Sequence, residues 1–95
     1  MMIALKVEKR TIDDRVESLT FHTHHFVGTT CTVAIAVLPD GFVVGTGKSA
    51  CIDPALFDAQ TDRDIAISNA KSDAINRLWE LEGWHLKQTT KQNTL

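Results

Sequence analysis

From Thr29 to Leu38 nearly every residue is β-branched or small, with Cys31, Val33, Ile35 and Val37 alternating with Thr30, Thr32, Ala34 and Ala36. This pattern is that of a strand whose two faces are both largely apolar. Pro39-Asp40-Gly41 follows, combining a fixed φ, a turn-favouring carboxylate and a residue that tolerates positive φ. The chain therefore reverses there, and Phe42-Val43-Val44-Gly45-Thr46-Gly47 reads as the returning strand. A lone hairpin is marginal in water, so the rest of the chain has to cover it.

The cover is expected downstream. Asp53-Pro54 suits an N-cap and first turn, and Thr61 with Asp64 repeats a capping-box-like pattern before a longer helical stretch. Either one helix bends near Ala59 or two follow in series. Ile67, Ala70, Ala74, Leu78 and Leu81 fall at spacings of three and four, with Ile75 and Trp79 beside them, and this stripe is expected to pack on the hairpin. Gly83 is read as the residue that stops the helix, with Trp84-His85-Leu86 folding back along it. Upstream, Thr11 reads as the N-cap of a short helix whose face is Ile12, Val16 and Leu19 and whose end lies near Phe21 to His24. Met2 to Val7 is a short apolar segment suited to an edge strand. The expectation is thus one α+β domain over residues 1–86, a short helix, an antiparallel hairpin and a long amphipathic helix, followed by a loose polar tail over 87–95.

With 95 residues a single core is expected, and oligomerisation is an easy way to add stability to so small a fold. Ten Lys and Arg against twelve Asp and Glu give a net charge of −2, which argues against a general nucleic-acid binder. No apolar run reaches the roughly 20 residues needed to span a bilayer, and Met1 to Val7 is too short for a signal peptide. The expected location is the cytoplasm, with Cys31 and Cys51 as reduced thiols.

Three groups of residues invite a chemical reading. Gly47-Lys48-Ser49 resembles the end of a phosphate-binding loop, but the position five residues earlier is Phe42 where that loop needs glycine. His22, His24 and His25 form the dense histidine cluster; if extended, His22 and His24 share one side and His25 takes the other. Solvated imidazoles in a polar connection explain them without metal. Cys51 and Asp53 with a distant histidine supply the types for a thiol nucleophile, yet a packed cysteine and a helix-capping aspartate explain both. No cofactor, metal ligand or catalytic residue is assigned. Trp79 is read as core, while Trp84, just past Gly83, is a candidate partner contact.

Leu38-Pro39-Asp40-Gly41-Phe42, then Gly47-Lys48-Ser49-Ala50-Cys51-Ile52-Asp53-Pro54 leading to Phe57-Asp58, then Trp79-Glu80-Leu81-Glu82-Gly83-Trp84 carry a resemblance to a family of small tailed-phage proteins shared by N-four-like and Sf-six-like podophages and by prophages. The similarity reaches back through His24, Phe26 and Gly28-Thr29-Thr30. It implies a phage or prophage origin and an accessory role in the infected host, and it offers no catalytic residues to carry over. Gly45-Thr46-Gly47 is richer in glycine than the family pattern, and Lys48 stands where relatives often have an acid.

The leading expectation is a non-enzymatic accessory protein that binds and inhibits or redirects a host factor, in antiviral defence among other settings. A second reading is an oligomeric sponge for a small nucleotide signal, with Lys48, Arg63 and the histidines His24 and His25 pairing with phosphates. A third is thiol- or metal-dependent catalysis at Cys51 and the histidines. A homo-oligomer is expected whichever holds.

Overall fold

The computed structural model describes residues 6–93, and their side chains as far as residue 89. A short helix α1 (Lys9–Glu17) leads into three strands, β1 (Thr20–His25), β2 (Cys31–Val37) and β3 (Val43–Ala50). A 3₁₀ turn (Pro54–Leu56) then precedes one long helix, α2 (Ala59–Asn93). The strands form an antiparallel sheet in the order β1-β2-β3, and α2 lies across one face of it. The class is α+β, as the patterning predicts.

The hairpin turns where expected. Gly41 takes φ of 92°, its N–H donates to the Leu38 carbonyl at 2.9 Å, and Asp40 accepts from the Phe42 N–H at 3.0 Å. Strand β1 departs from the sequence expectation of a helix end and connection over these residues: α1 closes at Ser18, whose N–H and that of Leu19 donate to the Arg15 and Val16 carbonyls. Thr20, Phe21 and Thr23 then favour extension, and pairing with the free edge of β2 satisfies their neighbours' backbone groups. The N-terminal boundary also moves. Glu8, not Thr11, takes the N-cap position, and the first turn holds no acidic residue, because Lys9-Arg10 already lie in the helix. Of the segment expected as an edge strand, residues 2–5 lie outside the described residues, while Lys6 and Val7 form no strand.

The layer between α2 and the sheet is built from small residues. Asp62, Ala66, Ala70, Ala74 and Leu78 recur every fourth position and are buried, facing Thr32, Ala34 and Ala36 of β2 and Gly45, Gly47 and Ser49 of β3. A Cβ on Gly45 would lie 2.6 Å from the Ala70 carbonyl oxygen, and one on Gly47 2.6 Å from that of Ala66. Only glycine permits this approach. Ile12, Val44 and Leu78 close the core at the end where α1 packs, with Val16, Leu19, Phe21 and Leu38 around them. One polar pair sits inside: the buried Ser49 hydroxyl donates to Asp62 at 2.9 Å, and the second Asp62 oxygen has no partner among the described residues.

Gly83 does not stop α2. Its φ is not positive, and the helix runs through Trp84-His85-Leu86 and takes in residues 87–93, which the sequence reading placed in a polar tail. A glycine inside a helix costs about 1 kcal/mol relative to alanine. Tertiary contact offsets this: Arg15 of α1 pairs with Glu82 at 3.3 Å, and Val7 and Thr11 line a groove with His85, Leu86 and Thr89. Leu81 and Trp79, read as core, are each more than a third exposed. Trp79 lies on the helix beside the buried row of Asp62, Ala66, Ala70, Ala74 and Leu78, not within it.

Candidate binding site at the loop end of the sheet

Two connections meet at one end of the sheet. The β1–β2 turn is closed by Thr29, whose N–H and hydroxyl both donate to the Phe26 carbonyl, at 3.1 and 2.7 Å, while its hydroxyl accepts from the Cys31 N–H. Gly28 supplies the positive φ of 84° the turn needs. Opposite it, Asp53 accepts from the Ala55 N–H at 3.0 Å and Pro54 opens the 3₁₀ turn, as Asp53-Pro54 was expected to open a helix. The cap of α2 itself is Asp58, which accepts from the Gln60 N–H and the Thr61 hydroxyl at 3.1 and 3.0 Å. Those hydrogen bonds, the Thr61 hydroxyl first, hold the Asp58 carboxyl below its ordinary pKa. The Thr30 hydroxyl ties the two connections together by donating to the Cys51 carbonyl.

Between them lies an open cleft of about 450 Å³ lined by His25, Gly28, Thr29, Thr30, Pro54 and Phe57. The His25 ring stacks on Phe57 with centroids 5.0 Å apart and planes at 27°. Its Nε2 lies 2.6 Å from the Thr29 carbonyl, so that nitrogen carries the proton and donates. Around the cleft stand large apolar side chains in water: Val27 and Ile52 are fully exposed, Leu56 is 74 % exposed and Phe26 nearly half. These residues were not singled out as partner contacts in the sequence. The available cue is that Val27, Ile52 and Leu56 are apolar residues in turns, where polar ones are usual.

The other sequence candidates are dispersed. On the sheet face away from α2, the register sets His24, Val33 and Lys48 in one row across the three strands and His22, Ile35 and Thr46 in the next. His24 also meets Phe26 edge-on at 4.6 Å. His25 faces the other way, as an extended segment requires. Arg63 is exposed on α2, donating to Gln60 at 2.9 Å, so Lys48 and Arg63 sit on opposite layers and share no site within one chain. Trp84 is 63 % exposed on the projecting part of α2. Gly47-Lys48-Ser49 is a strand with Ser49 turned inward to Asp62, a geometry unlike a phosphate loop. Cys31 and Cys51 are free; the Cys51 thiol donates to the Asp53 carbonyl at 3.1 Å, while the Asp53 carboxylate is used as a cap. Among the described residues no three His, Cys, Asp or Glu side chains are grouped to hold a metal.

A family model, described as phage protein (N4 Gp49/phage Sf6 gene 66), matches residues 7–90, nearly the whole chain. The chain belongs to that phage protein family. Neither curated proteins nor solved structures gave a match. In this phage protein two of the segments that carried the resemblance meet: Gly28-Thr29-Thr30 forms one wall of the cleft, and Pro54 and Phe57 form the other. No described helix is long and apolar enough to cross a membrane.

Proposed function

We propose that this phage protein is a non-enzymatic accessory protein that binds a host factor in the infected cell and inhibits or redirects it. The observation that carries the reading is the loop end, where Phe26, Val27, Ile52 and Leu56 stand in water around a concave site. Apolar side chains grouped at a cleft mark a surface that another molecule covers. Native mass spectrometry of protein purified from bacterial lysate, beside Ile52→Asp and Phe57→Ala, tests it. The expected result is a bound host protein on the wild type, lost in Ile52→Asp. Its retention in both variants refutes the reading.

The stacked His25 and Phe57 rings favour a second reading, in which the cleft takes the base of a small nucleotide signal and the protein acts as a sponge. Aromatic platforms hold bases by stacking worth about 1–3 kcal/mol each. No Lys or Arg lines the cleft, so phosphates would have to be met by a residue outside it, such as Arg63, or by a second subunit. A nucleotide-sized mass lost in Phe57→Ala but kept in Ile52→Asp would choose this reading over the first.

A further inference from the structure

The two edges of the sheet are treated differently. The register and the Phe26 N–H to Cys31 carbonyl bond place the inward-bonding residues of β1 at Thr20, His22 and His24, leaving the backbone groups of Phe21, Thr23 and His25 directed at the outer edge. By the same alternation Thr46 and Lys48 face outward on β3. There α2 seals the edge: Asp73 accepts from the Thr46 N–H at 2.9 Å, and Asn69 donates to the Lys48 carbonyl at 3.0 Å. No hydrogen bond among the described residues reaches the outward groups of β1. Nor does β1 carry the lysine, proline or bulge that usually blunts an edge; its residues are Thr, Phe, His, Thr, His and His.

We propose that two copies of this chain join through the β1 edges, antiparallel about a two-fold axis at Thr23, into one continuous sheet. The register follows from which groups are free. Setting Thr23 opposite Thr23 of the partner puts Phe21 opposite the partner's His25 at both ends, so every outward group is used, in about six hydrogen bonds. Any other register leaves some of them unpaired. β1 carries no Lys, Arg, Asp or Glu, so two copies meet without opposing fixed charges, and self-complementarity is what a two-fold contact requires. In the joined sheet His22 of one copy lies beside His24 of the partner subunit on the face away from α2.

Thr23→Pro separates this contact from the fold. The Thr23 N–H points outward, so proline there costs no bond within the chain, while His22→Pro would remove one. Light scattering is best done at about 100 μM, since a contact of one strand pair is small and the dimer is expected to dissociate on dilution. The expected result is twice the monomer mass for the wild type and the monomer mass for Thr23→Pro, with unchanged circular dichroism. A wild-type monomer, or an oligomer that persists in Thr23→Pro, overturns the proposal. A cysteine check stands apart from folding effects: residues at the axis have Cα atoms about 5.5 Å apart, within disulfide range. Thr23→Cys with Cys31→Ser and Cys51→Ser is therefore expected to cross-link under mild oxidation, and failure to do so counts against the proposed register.

Discussion

Replacing Gly47 by alanine tests whether the small-residue layer sets the distance between α2 and the sheet. The new methyl would lie 2.6 Å from the Ala66 carbonyl oxygen and 2.7 Å from the Asn69 carbonyl carbon, with the Ala70 nitrogen also in contact. Ordinary contact begins near 3.4 Å, so α2 must retreat by close to 1 Å. The three nearest atoms are all backbone, so no rotamer change relieves the clash. Overpacking costs about 1–3 kcal/mol, and the upper end applies where only main chain can yield. Lost chain freedom in the unfolded state returns about 0.4–1 kcal/mol. The net loss is then roughly 2 kcal/mol, and in urea the midpoint should fall by about 1 M at a slope near 2 kcal/mol/M. Gly83→Ala is the control: no atom lies within 4 Å of its Cβ, and removing a mid-helix glycine should stabilise by about 0.5–1 kcal/mol. A Gly47→Ala midpoint equal to or above the wild type would refute the close-approach reasoning.

Ser49→Ala removes the one side-chain partner that the buried Asp62 has among the described residues, and thermal unfolding should show a loss of about 1–3 kcal/mol; no loss would mean another group satisfies Asp62. Asp58→Ala should lower the melting temperature at neutral pH by uncapping α2. Because the folded Asp58 pKa is depressed, its contribution is complete above the unfolded value near 3.9 and fades as pH falls through the folded value, so wild-type and variant melting curves should converge in acid. A gap that stays constant down to the most acidic folded condition would contradict this. If the cleft holds a nucleotide base, Phe57→Ala should abolish nucleotide binding at the loop end while leaving the sheet intact by circular dichroism, whereas unchanged nucleotide binding would refute the stacking role of Phe57.

The hairpin and its cover were legible because their information is local: an alternating run, a Pro-Asp-Gly reversal and a helical-spacing stripe, of which Ala70, Ala74 and Leu78 lie in the buried row while Asp62 and Ala66 were missed. What was not legible depended on tertiary contact. Residues 20–25 carry three histidines, which fit a helix end or a strand equally, and only the open edge of β2 decides between them. Gly83 looks like a stop until Arg15 and Val7 are seen supporting the helix on either side of it. The candidate site was half visible. His25 and Phe57 were noted for different reasons, one as a binding residue and one as a motif residue, and nothing local says that their rings stack. Lys48 and Arg63 show the converse, since residue type suggested a shared phosphate site and strand alternation sends Lys48 to the far face.

An interface of alanine against glycine has a further consequence. Large side chains interlock like teeth and fix how far one element is shifted along another, but methyl groups spaced every four residues make a nearly smooth rail. Slide α2 by a turn and Ala70 would drop into the seat of Ala66 with little change in shape. Besides Leu78 packed at one end of the row, what holds the position is polar and sparse: Asp62 on Ser49, Asn69 on the Lys48 carbonyl and Asp73 on the Thr46 N–H, each at 2.9 or 3.0 Å. These three bonds act as detents on a slide, so weakening them together should free a shift that weakening the apolar layer would not.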